Sequence, residues 1–464
     1  MTALRSLGLA RLISLLAVSA AALVFLLSAP EDALARTAAL SVASITLFAA
    51  RILPETLTAI LTFLAFLGSG LVGTDVIFAG FSSSGFWLLF AGLVMGSAIT
   101  STGLGRQIAL RLFARTGTSY GRAVWLLTAC GLGLGLLVPS AIPRVVVLLP
   151  ISVALAEAMG FRAGSRQAIG LAITAACSTL MPTYAFLTAN LPVIVETSMI
   201  EALYGFTLPY GGYFIQQWPI NLVRLVVLVW LMLRFAPDLA PAPPAANPTD
   251  GMDAPSPLTK GQWRLLILLA IAIALWATDF VHGIAPAWIA LSIAALILWP
   301  ALGVMDRNAM KNDVDLSPAF FIAGVLCVSG AAQVTGLSAA LADALIPLMG
   351  LGQGGALRDL YATTAFTTVV THLTIAPATP VILVPLAGSM SEATGWSIET
   401  LAMIHSIGIG NTILPYQAPP LIVAMALAQI PTGALTRICA LMAVASFVVG
   451  LPLTFLWWRL LGLI

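Results

Sequence analysis

One apolar passage, interrupted by prolines and small polar residues, is written into this chain twice. Leu137–Gly160 reads LVPSAIPRVVVLLPISVALAEAMG, and His372–Gly395 reads HLTIAPATPVILVPLAGSMSEATG. An offset of 235 pairs Pro150 with Pro385, Glu157 with Glu392, Ala158 with Ala393 and Gly160 with Gly395. At an offset of 233, Thr102-Gly103-Leu104 matches Thr335-Gly336-Leu337, and Ser178-Thr179-Leu180-Met181-Pro182 matches Asn411-Thr412-Ile413-Leu414-Pro415. Backbone polar groups cannot stay bare in hydrocarbon, so a helix broken at membrane depth must be buried in protein or line a wet cavity. A membrane domain duplicated with breaks at matching places is the sequence sign of a secondary transporter.

Composition puts the chain in the bilayer. Of its 464 residues 60% are hydrophobic and 8% charged, where a soluble domain carries roughly a quarter charged residues. Many apolar runs reach the ~18–20 residues that cross a bilayer. A net charge of +2 with no dense basic cluster gives nucleic acid no footing. Cys130, Cys177, Cys327 and Cys439 are scattered through apolar runs without metal-ligand spacing and read as packing residues. There is no Walker-type loop and no HExxH, so no catalytic residue and no metal centre is assigned and ATP-driven pumping by this chain is not expected.

Arg5 and Arg11 precede the apolar run Leu12–Leu27, and Ala33-Leu34-Ala35 resembles a signal-peptidase site. An uncleaved first span is the favoured reading, with a cytoplasmic N-terminus by the positive-inside rule. Residues 1–73 are then leading transmembrane helices and the start of a scaffold. Residues 74–235 form a first repeat with a hairpin near 140–159, and 263–464 a second with a hairpin near 373–391. Between them, 236–262 is a linker rich in Pro and Ala, placed in the cytoplasm by Arg234, Lys260 and Arg264. Gly105–Arg122 carries Arg106, Arg111, Arg115 and Arg122 and reads either as an amphipathic segment on the membrane surface or as a plain loop.

The breaks supply the candidate site. Pro139, Pro143 and Pro150 are expected to break the first copy, and Pro377, Pro380 and Pro385 the second. Half-helix N-termini expose N–H groups and partial positive charge, which suits an anion. Ordinary proline kinks in packed helices are the alternative. Arg144, in AIPRVVVLLP, has no acid within a dozen positions; it either clamps an anion by bidentate hydrogen bonds, or snorkels or pairs with Glu157. Its repeat partner is Thr379. His372 is a candidate proton carrier or a neutral packing residue, and His405 and His282 have weaker claims. Glu157 and Glu392 read as structural ends of the hairpin helices near the membrane surface. Ser178, Thr179, Asn411 and Thr412 at the second breakpoint, with Thr188, Asn190 and Gln417 downstream, offer hydroxyls and amides to an anion or a coupling ion. Helix–helix hydrogen bonding is their alternative role.

At these passages the chain resembles the divalent anion/sodium symporter family of the ion transporter superfamily, which includes bacterial dicarboxylate, citrate and sulfate transporters. The likeness covers most of the length. It implies an all-α polytopic fold of about eleven transmembrane helices in two inverted repeats, with a re-entrant hairpin and broken helices in each. In that family each hairpin tip carries Ser-Asn-Thr about ten residues before the hairpin proline, and the two tips build the sodium sites and hold the substrate. Here the tips read Ser140-Ala141-Ile142 and Ile375-Ala376-Pro377, so only Ser140 keeps the family's side chain. Leu187-Thr188-Ala189-Asn190 and Gln417-Ala418-Pro419-Pro420 stand where the family has a Thr-Pro-Pro-Asn-like turn.

The expectation is therefore an inner-membrane secondary transporter of a small anion, of the di- or tricarboxylate or sulfate kind, working by an elevator mechanism as a homodimer. Substrate would sit among Ser140, Arg144, Ala376, Pro377, Thr379, Thr188, Asn190 and Gln417. Na+ or H+ would couple at Ser140, Ser178, Thr179, Asn411, Thr412 or His372, with no organic cofactor. Arg144 would replace the charge that sodium lends in relatives. The rivals are an arsenite- or proton-coupled exporter or exchanger, an anion channel on the same fold, and a membrane-embedded enzyme or assembly subunit.

Overall fold

The structure, a computed structural model, describes residues 2–50, 52–113, 119–138, 140–235 and 256–464. Pro139, Arg115, linker residues 236–255 and the side chains of Arg5 and Arg11 lie outside what is described. Among the described residues there are helices and turns and no strand. Among the described residues nine helices are long and apolar enough to cross a membrane, or ten if one sharply bent pair counts as a single span, where about eleven are expected. Shorter apolar helices of 10–17 residues fill in around them.

After a leading helix α1 (Thr2–Leu27), the helical elements of ten residues or more among the described residues run as two series of nine. The first is α2 (Ala33–Ala50), α3 (Glu55–Ser69), α4 (Ser84–Ser101), α5 (Leu104–Phe113), α6 (Tyr120–Leu137), α7 (Ala141–Ala158), α8 (Arg166–Ser178), α9 (Leu191–Tyr204) and α10 (Tyr210–Phe235). The second is α11 (Lys260–Ala277), α12 (Pro286–Leu298), α13 (Ser317–Val334), α14 (Leu337–Met349), α15 (Ala356–Leu373), α16 (Ala376–Thr394), α17 (Ile398–Ile409), α18 (Pro419–Ala428) and α19 (Thr432–Leu460). Here α16 and α19 are composites of consecutive helical pieces. Gly160 and Gly395, matched in sequence, both take left-handed φ (77° and 74°) just past the ends of α7 and α16. That conformation suits glycine, which has no Cβ to clash.

Packing crosses between the series in matching pairs. Helix α3 lies on α13 while its counterpart α12 lies on α4. Likewise α18 lies on α7 and α9 on α16. The outermost helices match as well, since the windows of α2 and α11 are each only 28% buried. By contrast the α8 window, continued through Ala185, is 89% buried. Its Ala168, Gly170, Ala172, Ala175 and Ala176 are small enough to let neighbouring backbones approach on every side. Outward-facing apolar residues such as Trp125, Trp230, Val448 and Leu456 suit a lipid solvent.

Helix α5 is short and amphipathic, with Leu104 and Leu110 buried and Arg106 exposed. Arg111 Nη2 donates to Ser256 O (2.6 Å) and Gln262 Nε2 to Thr102 O (2.6 Å). These bonds tie the arginine-bearing segment and the end of the linker to one side of the molecule. Thr259 caps α11 in a reciprocal capping box with Gln262, which ends the linker.

Candidate functional site

Four helices begin at one place. Helix α7 follows extended Ser140, and α16 follows extended Ile375 at a bend of 120° from α15. Helices α9 and α18 follow extended Asn190 and Ala418, after short 3-10 turns at Pro182–Ala185 and Pro415–Gln417. Each start carries proline within its first turn: Pro143, Pro377, Pro192, and Pro419 with Pro420. Proline is tolerated there because the first N–H groups of a helix have no intrahelical partner to lose. None of the four starting residues makes a side-chain capping bond.

Ser140–Ile142, Asn190–Pro192, Ala376–Pro377 and Ala418–Pro420, with Leu180 and Tyr184, line one half-open cavity of about 60 Å³. No carboxylate is in that lining. The volume has room for about four or five waters. Helix starts carry partial positive charge and unpaired N–H groups, so the chamber attracts anions. A second cavity, of about 420 Å³, shares Ser140 and Ile142 with it and runs between α4 and α7 to Asp313 and Asp315. At its rim Ser97 Oγ donates to Asp313 O. This cleft gives the tip of α7 a way out.

Of the residues singled out in the sequence, Ser140, Asn190, Ala376 and Pro377 meet in the lining. Arg144 stands one layer behind it, 0% exposed. Its Nη2 donates to Ala189 O (2.8 Å) and Asn190 Oδ1 (2.9 Å), while Nε and Nη1 have no hydrogen-bond partner among the described residues. Asn190 Nδ2 in turn donates to Thr183 Oγ1 (3.2 Å). The guanidinium therefore fixes the cavity-lining asparagine and leaves a charge uncompensated by any acid it bonds, which costs several kcal/mol in order of magnitude.

The other candidates lie elsewhere. Thr379 turns into its own hairpin, within 3.1 Å of Thr371 Oγ1 and 3.3 Å of Thr374 Oγ1. Thr188 is buried away from the lining. Gln417 Oε1 accepts from Ile413 N and Leu414 N (3.0 Å each) and shapes the turn before α18, and Nε2 has no partner among the described residues. Ser178 and Thr179 donate to carbonyls of their own helix, at Ala175 and Ala176. Asn411 is buried with neither amide atom hydrogen-bonded among the described residues, and Thr412 is buried beside it. His372 Nδ1 lies 2.6 Å from Thr368 O, one turn back on α15, which favours the packing role. His282 is bonded near the exposed end of α11, at Leu275 O. Glu157 and Glu392 are exposed.

One proline expectation is corrected. Pro150 does not break its copy: α7 runs unbroken from Ala141 to Ala158 with Pro150 inside, and Pro143 sits in its first turn. In the second copy Pro377, Pro380 and Pro385 do divide α16 into alternating 3-10 and α pieces. Three closely spaced prolines remove too many donors for one α ladder, whereas a single interior proline removes one.

The sequence reading missed two residues. Arg224, on α10, donates to Ile407 O (2.8 Å), Asn221 Oδ1 (3.1 Å) and Ser446 Oγ (3.3 Å) and is almost fully buried. Glu196, on α9, faces His405 on α17. The signal that selects Arg144, a lone charge in an apolar run, is present for both, in PVIVETSMI and INLVRLVVLV.

The family profile of the sodium:sulfate symporter transmembrane region matches residues 9–464. A membrane protein of Cupriavidus necator is 26% identical over 83% of this chain and 76% of its own length. The L-tartrate/succinate antiporter of Escherichia coli K12 is 25% identical over 82% of this chain and 79% of its own. Among solved structures, the Alcanivorax borkumensis YdaH transporter superposes with a TM-score of 0.56 at 17% identity, covering 86% of this chain and 89% of that one. Neisseria gonorrhoeae MtrF, from a class of antimetabolite efflux pumps, gives 0.57 at 12% identity over 86% and 84%. At these identities the two structures speak for the fold alone.

Proposed function

The chain belongs to the sodium:sulfate symporter family, and from that premise we propose that this anion transporter carries a small dicarboxylate, taken up at the chamber where α7, α9, α16 and α18 begin. The observation that carries the reading is the convergence of four helix starts on one cavity without a carboxylate in its wall. A doubly charged anion there gains from N–H groups and from the field of Arg144, whose burial is otherwise uncompensated. Asn190 is the polar side chain that meets the substrate, and Arg144 is a positioning residue behind it. The dicarboxylate class is supported by the antiporter name of the Escherichia coli relative.

Alternating access in this proposal is of the elevator type. The crossed set α3, α4, α12 and α13 would form the scaffold, and α6–α9 with α15–α18 would move as a homodimer's carrier domains in a bacterial inner membrane. Sodium is not assigned to the hairpin tips. Ser140 is the one tip residue with a side-chain oxygen, and Ile375, Ala376 and Pro377 have none.

Counterflow in proteoliposomes tests the reading. Vesicles loaded with unlabelled succinate are expected to accumulate labelled succinate transiently, in a saturable manner and without a sodium gradient. Absence of counterflow with dicarboxylates would overturn the substrate class. Flux that never saturates, with no countertransport, would establish a channel instead.

A further inference from the structure

Two titratable side chains from opposite series meet inside the protein. Glu196 on α9 and His405 on α17 are each 1% exposed, with His405 Nδ1 3.2 Å from Glu196 Oε1. Ser406 Oγ donates to Glu196 Oε2 (2.8 Å), and His405 Nε2 has no partner among the described residues. An acid and a base buried inside a polytopic membrane protein are costly to keep, and such residues commonly serve ion or proton paths. Glu196 is four residues along α9 from cavity-lining Pro192, or about 6 Å along the axis.

Charges facing the pair can be followed element by element. Tyr184 and Tyr213 lie within electrostatic reach of Glu196, and Arg224 stands beyond them. Tyr213 donates to Tyr184 O (3.0 Å), and Arg224 to Ile407 O, two residues from His405. Helices α4 and α13, packed against α9, carry no acid or base, Cys327 being their only titratable group. Other ionisable groups on the packed helices are held elsewhere: Glu201 by Ser84, Glu399 by Gln216, Tyr204 at Val384 O. On α15, Asp359 accepts from Gly352 N, Arg358 donates to Gly350 O, and His372 lies against Thr368 O. Glu392 on α16 is exposed, and Arg234 sits over Trp230 at the end of α10.

We propose that the Glu196–His405 pair is the proton-binding site that couples transport, an inference that rests on the anion-transport reading above. With one proton shared between them the pair is neutral overall; without it the pair carries one negative charge. That negative charge, in a low-dielectric interior near the helix starts, disfavours an anion in the chamber. Anion and proton therefore load together, each raising the other's affinity by the same factor. A downhill proton gradient would then drive the anion in.

Proteoliposomes in weakly buffered medium with an external pH electrode separate the possibilities. Anion uptake by the wild-type protein is expected to alkalinise the medium, and an inward acid gradient to stimulate uptake by roughly fivefold, a typical coupling. Glu196→Gln keeps the side-chain shape and an acceptor for Ser406. It is expected to retain succinate counterflow at equal pH while losing both the alkalinisation and the gradient response. His405→Gln, made in parallel, should do the same, and counterflow reports that each variant is folded. Counterflow in the wild type without proton uptake overturns this inference alone, as does an unchanged gradient response in both variants. No succinate counterflow in the wild type overturns the dicarboxylate reading above instead.

Discussion

The two repeated passages, α6–α7 and α15–α16, solve the same packing problem with opposite chemistry. In the first, Arg144 on α7 reaches toward Gly135 on α6, where a Cβ would lie 3.0 Å from Arg144 Nη1 and 2.5 Å from Thr183 Cγ2. In the second, Thr379 stands at the Arg144 position, and Thr371, two residues before the end of α15 as Gly135 is before the end of α6, bonds to it at 3.1 Å. One side has a large cation beside a missing side chain; the other has two small hydroxyls sealed to each other. The first hairpin thus holds a charge that organises Asn190 across the cavity, and the second is self-contained. A duplicated frame has been given one electrically active tip and one inert tip.

The sharpest way to break this comparison is to give the first hairpin the residue of the second. Arg144→Thr removes hydrogen bonds from a charged group, each worth about 1.5–3 kcal/mol. Ala189 O and Asn190 Oδ1 lose their donor. Succinate counterflow is expected to fall by roughly 100-fold, the equivalent of about 2.7 kcal/mol. A rate equal to wild type would show that the two tips are electrically equivalent after all.

A smaller effect sharpens the size argument. Gly135→Thr overpacks the contact with Thr183 and Arg144 and is expected to destabilise the protein by about 1–3 kcal/mol, read as a lower thermal midpoint in detergent. Combined with Arg144→Thr, the added side chain gains the vacated space. The double variant should then be more stable than the two single losses predict, by about 1 kcal/mol. Its transport should stay lost. Strict additivity would mean that Gly135 and Arg144 do not share one space.

The smallest effect belongs to the second hairpin. Thr379→Val removes one hydroxyl from the Thr371–Thr374 cluster, at about 0.5–1.5 kcal/mol of stability. Counterflow should stay within about threefold of wild type, since a loss of that size at a group remote from substrate has little leverage on the barrier. A collapse of transport would place Thr379 at the substrate and reverse the contrast between the tips.

Much of this was legible in the residues. The repeat spacing paired the two interrupted passages, and the prolines Pro143, Pro192, Pro377 and Pro419 mark the four helix starts. Proline acts locally, through a fixed φ and a missing N–H, so its consequence can be read without the fold. Pro150 shows the limit of that reading. Its one missing donor is absorbed inside α7, and whether a lone proline breaks or merely bends a membrane helix depends on what packs around it. Glu196 was visible as an acid in an apolar run, yet nothing nearby in sequence named its partner.

By itself the sequence determined the membrane class, the duplication and the places where helices start, because hydropathy, repeat spacing and proline geometry are properties of short stretches of chain. Tertiary structure decided which of those places face one another and which side chains stand in front. It set Arg144 behind Asn190, folded Thr379 inward, and brought Glu196 to His405 across more than two hundred residues. The reason is physical: a buried polar group must find its partner wherever packing allows, and packing is a property of the whole fold.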